Sequence, residues 1–267
     1  MAPWSIGETM VDRLKNKTAI VTGAGQGIGA ATARCFAAEG ASVVVAELNL
    51  ETGAAMEAEL IANGAQAMFV ATDVTDPGSV ARMAEKTQET FGAPDILVNN
   101  AGINVFRDPL STTDEEWRRC MSVDLDGVWN CCRAVLPVML EAGRGAIVNI
   151  ASTHSFKIIP GCFPYPVAKH AVLGLTRALA IEYAARGIRV NAIAPGYIET
   201  PIAINYWNTF PDPEAEKRRA YELHPPKRVG RPEEVAWTAV FLASDEAPFI
   251  NAETIVIDGG RSVLYHD

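Results

Sequence analysis

Seven short apolar, β-prone runs, separated for most of the chain by longer helix-forming stretches, restrict this chain to an α/β fold more tightly than any other feature. The runs are Thr18 to Thr22, Ser42 to Ala46, Ala67 to Val70, Ile96 to Val98, Ala146 to Ile150, Arg189 to Ile193 and Thr254 to Ile257. Between them, Ile28 to Glu39, Leu50 to Ala62, Ser79 to Phe91, Asp114 to Leu140 and Val167 to Ala185 read as helices, and another begins near Pro232. Such alternation builds βαβ units with parallel strands. The runs do not alternate polar with apolar residues, as expected of strands covered by helices on both faces. At 267 residues, without repeats or a low-complexity linker, the chain is expected to form one domain. Pro201 to Pro226, rich in Pro, aromatics and charge, breaks the rhythm and is expected to be an irregular, lid-like insertion.

The formal charge is -9, from 23 Lys+Arg against 32 Asp+Glu. This sign offers no footprint for nucleic acid and opposes docking on an anionic membrane, so a small molecule is the expected partner. No run reaches the length of a membrane span, and Met1 to Lys17 lacks an apolar core with a small-residue cleavage site. A cytoplasmic location is expected. Cys35, Cys120, Cys131, Cys132 and Cys162 lack metal-ligand or redox spacing and read as buried free thiols. The four histidines show no paired-ligand pattern, and no catalytic metal is expected.

The first run leads into Thr22-Gly23-Ala24-Gly25-Gln26-Gly27-Ile28-Gly29 and then a helix. A turn of this kind lets a pyrophosphate rest against the free amides and positive dipole end of the helix. A glycine-rich turn can be purely structural, but its place between strand and helix favours dinucleotide binding. About twenty residues on, the second run ends at Glu47, whose carboxylate can accept hydrogen bonds from adenine-ribose hydroxyls. It would repel a 2′-phosphate by several kcal/mol at ~4 Å and an effective dielectric of ~20. Neither Gln26 nor Leu48 supplies a compensating cation, so NAD is expected over NADP. The alternative for Glu47 is a solvated residue at a strand end.

After the fifth run come Asn149-Ile150-Ala151-Ser152 and, thirteen residues beyond the serine, Tyr165-Pro166-Val167-Ala168-Lys169. The i to i+4 spacing sets Tyr165 and Lys169 on one helix face. A phenol with a pKa near ~10 is a poor base at neutral pH, and moving it to about 7 takes ~4 kcal/mol. An ammonium and an oxidised nicotinamide both favour the phenolate. Tyr165 can then take an alcohol's proton while hydride leaves the same carbon, with Ser152 hydrogen-bonded to the oxygen. Taken alone, a Tyr-x-x-x-Lys pair is more often a solvated helix pair than a catalytic dyad.

With these motifs, and with Asp73-Val74, Asn99-Asn100-Ala101-Gly102, Pro195-Gly196, Thr200 and Asp258-Gly259-Gly260, the chain resembles the classical short-chain dehydrogenase/reductase family from Thr18 to Gly260. The resemblance implies a doubly wound Rossmann fold, a seven-stranded parallel sheet with helices on both faces. It implies a catalytic role for Ser152, Tyr165 and Lys169, contact of Asp73 and Val74 with adenine, and packing of Asn99 against the cofactor turn. Gly23, Gln26, Gly27, Ile28, Gly29, Glu47, Asn100, Ala101, Gly102, Tyr165, Lys169, Pro195 and Gly196 are the further implied cofactor contacts, with Ile198 and Thr200 at the nicotinamide carboxamide. The helices Asp114 to Leu140 and Val167 to Ala185 are implied to build a homotetramer. One position departs from the pattern: seven residues beyond Trp117, where the family places the Asn of its catalytic tetrad, this chain has Asp124. That asparagine keeps a kinked-helix carbonyl open to a water leading from the lysine to solvent. An ionised Asp accepts but cannot donate, so Asp124 is either an isosteric support or a charged neighbour tuning Lys169.

Substrate class must come from outside the shared motifs. His154 and Lys157 follow the serine and are expected beside Phe163 and Tyr197, and two potential cations at a pocket mouth imply a polar or carboxylated substrate. Alternatively, Lys157 is solvated and His154 bonds its own loop. Ser152, His154, Lys157, Phe163, Tyr165 and Tyr197 are the expected substrate contacts. Ser152 to Lys169, the Pro-rich stretch and the tail Arg261 to Asp267 are similar to bacterial sugar and sugar-acid dehydrogenases, in particular those oxidising 2-keto-3-deoxy acids from L-fucose or L-rhamnose at C4. That likeness implies a sugar or sugar-acid substrate and makes Tyr265 and His266 candidates for contact with a neighbouring subunit's substrate. The alternatives are a 3-hydroxy acid dehydrogenase or 3-oxoacyl thioester reductase, weakened by Glu47 and the scarcity of basic clusters, and a nucleotide-binding regulator without turnover, opposed by the intact Ser152, Tyr165 and Lys169.

Overall fold

The computed structural model describes residues 12–265. All seven expected runs are strands: β1 (Thr18–Thr22), β2 (Ser42–Glu47), β3 (Ala67–Ala71), β4 (Ile96–Asn99), β6 (Gly145–Ile150), β8 (Ile188–Pro195) and β9 (Thr254–Ile257). They form one parallel sheet in the order β3-β2-β1-β4-β6-β8-β9. Chain direction across the sheet reverses between β1 and β4, which opens a crevice at the carboxyl ends of these strands, the usual ligand position in such sheets.

Helices cover both faces. They are α1 (Gly27–Ala38), α2 (Leu50–Ala62), α3 (Pro77–Phe91), α4 (Asp114–Met121), α5 (Gly127–Ala142), α6 (Tyr165–Tyr183), α7 (Pro201–Trp207), α8 (Pro213–Glu222) and α9 (Pro232–Ala243). Successive strand side chains point to opposite faces, and the core divides accordingly. Ala19, Val21, Val43, Val45, Ile96 and Val98 pack with α1, α2 and α9, whereas Ile20, Val44, Leu97 and Ile147 pack with α3, α5 and α6. This is the doubly wound Rossmann arrangement, and the centres of β1, β2, β4, β6 and β8 are buried because helices lie on both sides.

Three expectations need correction. The helix expected from Asp114 to Leu140 is interrupted by a π-helical turn, Ser122–Asp126, between α4 and α5. The interruption supplies the expected kink, at Asp124. Pro201 to Pro226 is largely helical rather than irregular: Pro201 and Pro213 open α7 and α8, where the missing N–H costs nothing, and Thr200 and Asp212 cap those helices. Trp207, Ala220 and Val229 form a small apolar cluster there with Tyr197 and Tyr221. Lastly, Asn99 does not face the glycine-rich turn, because it lies fully inside the sheet. Its Nδ2 donates to Asn149 Oδ1 at 2.8 Å, and Asn100 holds the turn instead, donating to the carbonyls of Thr22 and Gly23 at 2.9 and 3.1 Å. A further antiparallel pair, β5 (Phe106–Arg107) with β7 (Phe163–Pro164), is too short to leave a periodic signal.

Asn149 ties the site to the sheet. It accepts from Asn99 on β4 and donates to Thr176 Oγ1 on α6 at 2.9 Å, all three side chains being buried. Asn149→Ala would leave buried donors and acceptors unpaired, at a cost of about 2 to 4 kcal/mol. The urea midpoint should fall while the m-value stays unchanged; an unaltered midpoint would show that these bonds do not hold β4, β6 and α6 together.

Candidate active site

The crevice is a cleft of about 770 Å³. At one end it is lined by Gly23, Gln26, Gly27, Ile28, Glu47, Asp73, Val74, Asn100, Ala101 and Gly102, and further in by Asp124, Ser152, Tyr165 and Lys169. Pro195, Gly196, Tyr197, Ile198 and Thr200 line it as well. Gly29 stands behind the wall, where a Cβ would collide with the Gly23 carbonyl oxygen. Gly27 is in the left-handed region at φ 56°, which places bare backbone at the start of α1. Gln26, the N-cap of α1, makes no side-chain cap bond, so the first amides of a 12-residue helix remain available to an anion. These residues fit a dinucleotide. Glu47 is already placed by backbone amides, its Oε2 accepting from Gly25 at 2.9 Å and its Oε1 from Leu48 and Asn49 at 2.9 and 3.0 Å.

Ser152 lies two residues beyond the end of β6, and its Oγ accepts from the His154 amide at 3.1 Å. Tyr165 opens α6, and Lys169, one turn later, carries its Nζ 5.4 Å from the Tyr165 ring centre. The ammonium is buried, donates to the Ile150 carbonyl at 3.2 Å and lies 3.3 Å from Asp124 Oδ1. Asp124 is fully buried in the π-helical turn, accepts from the Ile103 amide at 3.2 Å and meets the Cys120 thiol. Gly102 is obligatory beside the pair, since a Cβ would approach Asp124 Oδ1 to 2.7 Å.

The electrostatics follow from burial. Burial raises the Asp124 carboxyl above its ordinary pKa against the pull of the Lys169 ammonium and the Ile103 amide. Burial disfavours the Lys169 charge, yet Asp124 and Tyr165 together hold its pKa above the ordinary value. Burial raises the Tyr165 phenol; Lys169 and a hydrogen bond with Ser152 oppose that shift, and Asp124 adds to it. A phenol, an ammonium and a hydroxyl so arranged can exchange a proton with an alcohol or ketone oxygen.

The substrate side differs from expectation. Lys157 is exposed beyond the short turn Thr153–Ser155 and does not line the cleft. Phe163 packs against Trp117 at 5.7 Å between ring centres and also stays outside. His154 does line the cleft, edge-on to Tyr165 at 5.9 Å, but burial and Arg261 lower its pKa, so it stands as a neutral imidazole rather than a cation. Tyr197 lines the cleft and stacks on Trp207 at 5.8 Å. Tyr265 is exposed, and His266 lies outside the described residues. Phe106, Arg219 and Arg261 line the cleft without having been expected there; each comes from an element remote in sequence from Ser152. Four cysteines are buried as expected, whereas Cys162 is partly exposed and borders the cleft.

A dinucleotide-fitting cradle joined to a proton-exchanging pocket defines an oxidoreductase acting on CH–OH groups. The chain belongs to the short-chain dehydrogenase/reductase family, whose members use nicotinamide cofactors: a family model described as enoyl-(acyl carrier protein) reductase matches residues 23–262. It is 42% identical to a cis-4-hydroxycyclohexanecarboxylate dehydrogenase of Sinomonas cyclohexanicum, over 97% of this chain and 100% of that one. Levodione reductase superposes with a TM-score of 0.91 at 37% identity, covering 94% of this chain and 100% of that chain. A gluconate 5-dehydrogenase from Burkholderia cenocepacia, in complex with NADP and tartrate, superposes with a TM-score of 0.89 at 34% identity, covering 95% and 98%. Its fold and relatives make this protein a secondary-alcohol dehydrogenase/reductase. Among the described residues, no helix is long and apolar enough to cross a membrane.

Asp124 raises the phenol, and oxidation needs the phenolate, so its charge shifts the loss of activity on acidification to higher pH. Asp124→Asn keeps the shape and removes the charge. The acidic limb of log kcat/KM for alcohol oxidation should move to lower pH, reporting the coupled network rather than one residue. An unchanged profile would make Asp124 an isosteric support only.

Proposed function

We propose that this enzyme oxidises a secondary alcohol of a sugar or sugar acid, such as a 2-keto-3-deoxy sugar acid, with NAD as the acceptor. The observation that carries the reading is the placing of Ser152, Tyr165 and Lys169 in one cleft with Glu47 at its far end. Bound NAD supplies the hydride acceptor. Gly23, Gln26, Gly27 and Ile28 hold its pyrophosphate against α1, and Asp73 and Val74 border its adenine. Asn100, Ala101, Gly102, Pro195, Gly196, Ile198 and Thr200 line its remaining length. Ser152 orients the substrate oxygen, Tyr165 takes its proton, and Lys169 favours the phenolate.

NAD is favoured because the Glu47 carboxylate is fixed by three amides and no cation borders the Glu47 end of the cleft among the described residues. The NADP of the gluconate 5-dehydrogenase complex belongs to that protein. A hydroxylated acid as substrate is supported by the names of two relatives, one acting on a hydroxycyclohexanecarboxylate and one on gluconate. The enzyme acts as one domain with α7 and α8 as its lid. It assembles in the cytoplasm as a homotetramer through α4, α5 and α6, where Trp117, Trp129, Val167 and Ile181 remain exposed.

Two measurements test this reading. Following NADH formation over a panel of sugars, sugar acids and hydroxy acids, kcat/KM with NAD should exceed that with NADP by about tenfold or more; equal efficiency would remove Glu47 as selector. Tyr165→Phe should lower kcat to below about a hundredth while NADH affinity stays near wild type. Retention of most of the activity would assign the proton to another group.

A further inference from the structure

Arg261 opens the short turn Arg261–Val263 that follows β9. The turn is fixed by Asp258, whose Oδ1 accepts from the Gly260 amide at 2.8 Å and Oδ2 from the Ser262 amide at 2.7 Å. With both oxygens engaged by backbone, Asp258 forms no ion pair with the guanidinium. Arg261 is half-buried, lines the cleft, and makes no ion pair or side-chain hydrogen bond among the described residues. Its five N–H donors are thus partly withdrawn from water without an acceptor in return.

The surroundings add positive charge and remove competitors. Arg219 on α8 also lines the cleft, but its guanidinium is held by both oxygens of Glu216 at 2.7 and 2.6 Å. Tyr197, His154 and His224 complete the neighbourhood. Among the described residues His224 Nε2 and His154 Nδ1 are buried without partners, and burial, with the charge of Arg261, keeps both imidazoles neutral to lower pH than usual. Two arginines, one of them uncommitted among the described residues, therefore line the cleft of a chain whose formal charge is -9. Position settles which ligand they face. Arg261 follows β9, at the edge of the sheet beyond β6 and β8, and lines the cleft together with His154, whose ring leans on Tyr165 and whose amide donates to Ser152 Oγ, so the residue stands on the substrate side of the reacting pair. The adenine side, at Glu47, is at the end of β2, with four strands between it and β9 in the sheet.

Resting on the alcohol-dehydrogenase reading above, we propose that Arg261 is the specificity-determining residue: it receives the carboxylate of a hydroxy acid whose carbinol carbon sits at Ser152 and Tyr165. An Arg–carboxylate contact in a half-closed cleft is bidentate and charge-assisted, so it discriminates an acid from its neutral isostere by about tenfold or more. The carboxylate role expected of Lys157 thus passes to a residue that reaches the cleft through the fold rather than through sequence proximity.

The test uses the full chain loaded with NADH, titrated calorimetrically with cyclohexanecarboxylate and with cyclohexanecarboxamide, which share shape but not charge. Wild type should bind the carboxylate about tenfold more tightly than the amide. Arg261→Gln should bring the two affinities together, and Arg261→Lys, which keeps the charge but not the planar fork, should retain part of the preference. No preference in wild type, or a preference surviving in R261Q, overturns the proposal. A loss confined to NADH affinity would assign Arg261 to the cofactor's phosphates and overturn it as well. This binding ratio is independent of turnover: failure of the dehydrogenase reading would appear instead as no NADH formed from any alcohol.

Discussion

The buried ammonium of Lys169 is the point on which the site depends. It cannot remain charged inside the protein without partners, and meeting them joins three separate parts of the chain. Asp124 comes from the π-helical turn between α4 and α5, the Ile150 carbonyl from the end of β6, and the lysine itself from α6. Satisfying one charge thus locks a helix break, a strand end and a helix start into a single geometry. Removing one partner would leave the other charge stranded, an error far more costly than the pair's own net worth. Tyr165 benefits from this arrangement without contributing much to it, since its position follows from beginning the helix that carries the lysine.

The sheet serves the same geometry from below. Parallel strands end together, and reversal of winding between β1 and β4 leaves their carboxyl ends uncovered. Asn99, Asn149 and Thr176 connect β4, β6 and α6 by buried hydrogen bonds, so a polar network runs beneath the floor of the cleft instead of an apolar one. The two bonds direct the strands and the helix in a way that apolar packing alone would not.

Much of this was legible in the sequence because it depends on local signals. Strand centres were readable from apolar runs, and the glycine-rich turn, Glu47, Ser152, Tyr165 and Lys169 from spacing and chemistry. What was missed depends on signals that spacing does not carry. The π-helical turn leaves helical periodicity almost intact on both sides, so Asp114 to Leu140 reads as one helix. Prolines at the first turns of α7 and α8 look like loop residues until the caps at Thr200 and Asp212 are seen in place. Lys157 seemed close to the site because it is close to Ser152 in sequence, yet a short turn sends it into solvent. Arg261 arrives from beyond the last strand, and no linear distance would have placed it there.

The segment carrying α7 and α8 is closed at its base. Ile198 bridges to Gly230, the Glu199 amide donates to the Gly230 carbonyl at 2.8 Å, and the Gly230 amide donates to Tyr197 at 2.9 Å. With its ends tied together and its own apolar nucleus at Trp207, Ala220 and Val229, the segment is a cassette. Once a loop's ends are joined, doubling its length costs only about 0.6 kcal/mol in closure entropy. Its length and composition can therefore change at little cost to the sheet and the dinucleotide end, and the cleft wall that α7 and α8 build can be reshaped without disturbing Ser152, Tyr165, Lys169 or the turn that carries Arg261.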